Sequence, residues 1–184
     1  MTDFSLLPSL PPYGGLARSF PPEWSRFGRE GVVVQFIRAD GSAWVGNFSP
    51  GLGGVTNVRA HPDGRRVIVA ASGDVWIVDA DAETAERVAV AVEAIWPVEE
   101  PAGIVMSRQV AFIRLGAEGI VWRTRRLSWD GFSEVRLKGA QLTGLAWNPM
   151  GNTWKPFEVN LATGASTGGS FDLPDSEGWE KLAS

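Results

Sequence analysis

The stretch Asp81-Ala82-Glu83-Thr84-Ala85-Glu86-Arg87-Val88-Ala89-Val90-Ala91-Val92-Glu93-Ala94-Ile95-Trp96 decides the fold class. Read with a helical period, Ala85, Val88, Ala89, Val92 and Trp96 recur at spacings of three, four and seven on one side. Glu83, Glu86, Arg87 and Glu93 take the other. Asp81 stands where an N-cap belongs, and Pro97 stands where a helix stops. Read with a period of two, Val88, Val90 and Val92 line one face of a strand. The helical template collects more matches and accounts better for the charges. The spacing therefore predicts an amphipathic helix over 81–96.

On both sides of this segment the chain reads as β meander. Upstream, β-branched and aromatic runs at Val32–Arg38, Ala43–Phe48, Val55–Ala60, Arg66–Ala71 and Val75–Asp79 are separated by Asp40-Gly41, Gly51 to Gly54, His61-Pro62-Asp63-Gly64 and Ser72-Gly73. Both parities are apolar in Val67 to Ala70 and in Val75 to Val78, which predicts strands covered on both faces. Downstream the runs are Ile104–Met106, Gln109–Leu115, Gly119–Leu127, Phe132–Lys138, Gln141–Trp147 and Trp154–Leu161. The expected architecture is a β-rich α+β domain over residues 31–171: two antiparallel meanders, Val32–Asp79 and Ile104–Phe171, joined and covered by one connecting helix. The alternative is an all-β, two-blade propeller-like arrangement.

Residues 1–30 hold five of the twelve prolines and read as an extended N-terminal strap, with Phe4, Leu6, Tyr13, Phe20 and Trp24 packing onto the domain. Residues 172–184 read as a frayed acidic tail. The 184 residues fit one domain, and 44% apolar with 21% charged residues is a globular composition. The net charge of −4 argues against nucleic acid as a partner. No apolar run approaches the roughly 20 residues a membrane helix needs. The start lacks a basic region followed by an apolar one. With no cysteine the chain suits a reducing compartment, and the expected location is cytoplasmic.

Two resemblances stand on particular residues. His61-Pro62-Asp63-Gly64-Arg65-Arg66-Val67-Ile68-Val69-Ala70, followed by Gly73-Asp74-Val75-Trp76-Ile77-Val78-Asp79, resembles part of a β-propeller blade over about twenty residues. Gly119 to Gly131, Leu142 to Trp147, Trp154 to Gly164 and Gly168-Gly169 resemble the C-terminal half of a group of small bacterial β-rich proteins with no assigned activity. The second resemblance implies a bacterial origin.

The residues that carry chemistry are few. His61, the single histidine, has Asp63 two residues on and could act with it as a base, but the surrounding residues read as a turn. Glu99 and Glu100 fall in a linker beside Pro101, and Asp74, Asp79 and Asp81 lack the spacing of a calcium loop. No phosphate loop, dinucleotide fingerprint or metal-ligand spacing is present, so no cofactor is expected. Arg123 and Arg125 share one face if their run is a strand, and with Arg126 they could grip a carboxylate or phosphate. The plainer reading is an exposed face paired with Glu134 or Glu158. In Trp154–Leu161, Phe157, Val159 and Leu161 form the inward set, which turns Trp154 outward; Trp129 sits at the lip of the Asp130-Gly131 turn.

Tryptophan with arginine is a combination enriched where proteins grip each other. The sequence thus points first to a non-catalytic, immunity- or adaptor-like binding module. Its partner would be a protein with an acidic surface, held by Arg123, Arg125, Arg126, Trp129 and Trp154; a homodimer is a further option. A small-molecule or carbohydrate binder with Trp129 or Trp154 as a stacking platform comes second, and a carboxylate-based hydrolase third.

Overall fold

Strands make up nearly all the regular structure in residues 3–171, the part of the chain that the computed structural model describes. β1 (Asp3–Leu7), β2 (Arg18–Phe20), β3 (Val32–Ile37) and β4 (Ala43–Phe48) form a sheet in the order β1-β3-β4-β2, in which β2 runs parallel to β4. β5 (Asn57–Ala60), β6 (Val67–Ala71), β7 (Asp74–Asp79) and β8 (Thr84–Ala89) follow as an antiparallel meander. β9 (Val92–Val98), β10 (Gly103–Arg108), β11 (Phe112–Gly116) and β12 (Gly119–Arg123) make a third sheet in chain order. The fourth contains β13 (Phe132–Lys138), β14 (Gln141–Asn148), β15 (Thr153–Asn160) and β16 (Ser166–Gly168).

The α+β expectation is therefore corrected. The described residues contain no helix of seven or more residues, and four separate sheets stand where two meanders or two blades were expected. Residues 84–98 are two strands of two different sheets, broken at Val90–Ala91, where Ala91 takes φ +53°. The reason is partly local: Thr84, Val88, Val90, Val92 and Ile95 are β-branched and lose rotamer freedom in a helix. It is also tertiary. β7 is buried from Asp74 to Val78, and without β8 its outer backbone groups would lack ladder partners.

A bulge lies between the Val75–Ala89 and Trp76–Arg87 pairs, so Val88 has no partner of its own. That break in alternation is what lets Ala85, Val88 and Ala89 imitate helical spacing. Asp81 caps no helix; its Oδ1 accepts the Ala39 N–H at 2.8 Å. Glu83 lies before β8 at φ +52° and pairs with Arg18 and Arg38. Pro97 lies inside β9, the last strand in its sheet order, and an edge strand is where a proline is tolerated.

The chain divides into two compact units, one comprising the chain up to Met106 with Gly116–Gly119, the other Ser107–Leu115 with the chain from Ile120 on. In the first unit, Val34, Phe36, Trp44 and Phe48 pack with Val67, Val69, Ala71, Trp76 and Val78, so the first two sheets share a core. Phe20 joins it, stacked on Phe48 at 5.0 Å, and Phe4 packs against its edge. Gly46 is required there, because a Cβ would fall 2.7 Å from the Phe48 ring. Trp24 is half-buried, whereas Tyr13 and Leu6 are exposed.

The second unit is built on Phe112, Phe132 and Phe157, with Phe112 4.4 Å from Phe132 and 5.3 Å from Phe157. Buried Arg114 and Trp122 both donate to the Leu161 carbonyl. The expected acidic tail, 172–184, lies outside the described residues.

Candidate functional site

The fourth sheet carries a face whose composition is not that of a solvated surface. Residues paired across an antiparallel ladder point to the same side. β14 pairs with β15 as Leu142–Val159, Gly144–Phe157 and Ala146–Lys155, and Leu142, Ala146, Phe157 and Val159 are buried. The opposite parity, Trp147–Trp154, Leu145–Pro156 and Thr143–Glu158, therefore faces out. Trp147 and Trp154 lie 5.0 Å apart at 56°, and Trp154 stays 43% exposed.

β13 extends this outer face with Ser133 opposite Leu145, Arg136 opposite Thr143 and Lys138 opposite Gln141. One end is thus apolar (Trp147, Trp154, Leu145, Pro156), and the other carries two cations, Arg136 and Lys138, with Glu158 as the one carboxylate among the residues paired on this face; Glu134, exposed, lies in the β13 bulge beside them. Sequence parity found Trp154. It missed Arg136 and Lys138, because the β13 bulge between Ser133 and Arg136 breaks the alternation that would have placed them.

The other sequence-predicted residues are spread differently. β12 ends at Arg123, which is exposed, so Arg125 is not on the strand and shares no strand face with it. Arg125 instead donates to the carbonyls of Arg126 and Phe171 at 3.1 Å and of Gly168 at 2.8 Å. Arg126 donates to the Ser128 and Trp129 carbonyls, both at 2.9 Å. Its guanidinium lies 5.2 Å from the Trp129 ring and 4.4 Å from the Phe171 ring, and those two rings meet edge to face at 4.7 Å. Arg125, Arg126 and half-buried Trp129 thus fasten the 168–171 stretch to the loop after β12. Of the five, only Arg123 and Trp154 are exposed.

The titratable groups read from the sequence sit in turns. His61 is buried in its turn: it donates its N–H to the Arg66 carbonyl at 2.9 Å and accepts the Gly64 N–H. Its Nδ1 lies 3.2 Å from the Asp63 N–H and 3.1 Å from Asp63 Oδ1, while Nε2 is buried without a partner. Burial pushes the imidazole below its ordinary value, outweighing the nearby Asp63. Burial acts to raise Asp63 as well. Hydrogen bonds from the Arg66 and Arg65 N–H groups, the Arg66 side chain and His61 outweigh it and hold the carboxyl well below its usual range.

Glu99 and Glu100 are exposed in the turn before β10. Asp79 Oδ1 accepts the N–H groups of Asp81 and Ala82. Among the described residues no group of three or more His, Cys, Asp or Glu side chains is placed to hold a metal ion. No helix among them is long and apolar enough to cross a membrane. No family model matches the chain, and no curated protein matches it.

Proposed function

We propose that this chain is a cytoplasmic, non-catalytic binding module that takes a protein partner on the outer face of the β13–β16 sheet. The observation that carries the reading is the solvent-facing Trp147–Trp154 pair, with Trp154 at 43% exposure, beside Leu145 and Pro156. An indole left in water gains most from a contact that desolvates it, and its two χ angles cost little entropy to fix. Arg136 and Lys138 at the other end favour a partner with carboxylates next to an apolar side chain. Arg125 and Arg126 support the unit that presents this face. The site is therefore moved from the arginine run to the sheet.

The test is affinity capture with the wild-type chain beside Trp154→Ala, Arg136→Glu and Lys155→Ala. Lys155 is exposed but belongs to the other parity of the same strand. The expected result is one protein retained by the wild type and by Lys155→Ala and lost by the other two, with thermal unfolding unchanged. Retention by all four chains, or loss by Lys155→Ala equally, overturns the assignment.

A further inference from the structure

A second site lies in the first unit and does not depend on the binding face. The 3₁₀ turn Pro22–Phe27 places Trp24 and Phe27 three residues apart, where side chains eclipse, with ring centroids 5.8 Å apart. These rings, with Pro21, Pro50, Leu52 and Val90, wall a cavity of about 450 Å³. That is the size of ordinary small-ligand sites. Phe27, Leu52 and Val90 are all exposed, at 65%, 95% and 38%. The loop carrying Leu52 is fixed, since Gly51 N–H donates to Ala71 and Gly53 N–H to Ser72. Gly51 presses on Asp74 so closely that a Cβ would fall 2.3 Å from Asp74 Oδ1.

The same cavity holds one oriented cation. Arg87 gives its NH1 to Asp74 Oδ2 at 2.9 Å, and its guanidinium lies 5.5 Å from the Trp76 ring. Asp74 is nearly buried, whereas the Arg87 side chain is 47% exposed. Nε and NH2 make no hydrogen bond to any described residue, so two donors of the fork are held in place and unused by the protein. The carboxylate of Asp74 is committed to NH1, and Glu23, which is exposed, also lines the cavity.

We propose that this cavity binds a small apolar carboxylate, an aryl- or alkyl-substituted acid. Its chain lies among Trp24, Phe27, Leu52 and Val90, and its carboxylate takes the free donors of Arg87. A planar guanidinium already oriented by an ion pair accepts a carboxylate with little further ordering.

Three probes of one shape separate the chemistry: phenylpropionate, phenylpropanol and phenylpropylamine, titrated calorimetrically against the full chain. Phenylpropionate should bind at least about tenfold more tightly than the alcohol, as an added charge-assisted hydrogen bond warrants. Arg87→Gln should abolish that preference and leave the alcohol's affinity unchanged. Because Arg87→Gln strands Asp74, the double variant Asp74→Asn/Arg87→Gln, neutral at both positions, serves if the single variant unfolds. Phe27→Ser/Leu52→Ser, both at exposed positions, should weaken all three probes together. Tightest binding of the amine, equal binding of all three, a carboxylate preference that survives loss of Arg87, or no binding of phenylpropionate would each overturn the proposal.

Discussion

At the scale of single residues, two buried indoles of the first unit differ in one hydrogen bond. Trp44 Nε1 donates to the Ala80 carbonyl at 2.8 Å, whereas Trp76 Nε1 is buried with no partner. Replacement by Phe removes comparable volume at both positions. Trp44→Phe also strands a carbonyl, whereas Trp76→Phe removes a donor that was already unsatisfied. Trp44→Phe should therefore cost about 1–2 kcal/mol more in denaturant unfolding than Trp76→Phe; equal costs would refute the pairing. His61 supplies a pH signature. Its folded-state pKa lies below the ordinary 6.5, so below that pH the unfolded chain takes up the proton first. Stability is full above 6.5 and declines as pH falls toward the depressed folded value. Asp63, also depressed, adds a loss at lower pH, below its ordinary 3.8. His61→Asn should flatten the first decline, read from unfolding midpoints across that window.

At the scale of elements, the segment 84–98 can be tested by the sign of one substitution. Ala91 lies at φ +53° between β8 and β9, a conformation that costs an L-residue about 1–2 kcal/mol. Ala91→Gly relieves that cost and adds about 0.4–1 kcal/mol of unfolded-chain entropy, so the net should be neutral to stabilising. In the middle of a helix the same change would destabilise by about 1 kcal/mol. Strand positions within the two expected meanders are largely legible, although β1, β2 and β16 are not: the run read as Ala43–Phe48 is β4 to the residue, and that read as Phe132–Lys138 is β13. They were legible because Asp-Gly and Gly turns punctuate them and one face of most is apolar. The 81–96 segment misled because a bulge imposes helix-like spacing on an edge of β7, and partner choice between sheets leaves no mark in local spacing. Arg125 misled for a related reason. Its role depends on the carbonyls of Gly168 and Phe171, more than forty residues away. Arg125→Ala should cost about 1–3 kcal/mol through those stranded carbonyls. Arg123→Ala, at an exposed position with no hydrogen bond of this kind, should stay within about 0.5 kcal/mol.

At the scale of the whole molecule, the chain is acidic, with a net charge of −4, yet the residues paired on the outer face of the fourth sheet include Arg136 and Lys138 with Glu158 as their one carboxylate. A local excess of cations on an acidic protein steers an acidic partner to one place and repels it elsewhere. Association with that partner should therefore slow as salt rises from about 0.05 to 0.5 M, since screening shortens from about 14 to about 4 Å. The apolar half should be indifferent to salt and should govern dissociation instead. The measurement that bears most directly on this account is the dissociation constant of the captured partner for wild type, Trp154→Ala and Lys155→Ala at fixed salt. Trp154→Ala should weaken binding by about thirtyfold or more, the scale of an interface hot spot, and Lys155→Ala by less than about threefold. Equal affinities for all three chains would contradict it.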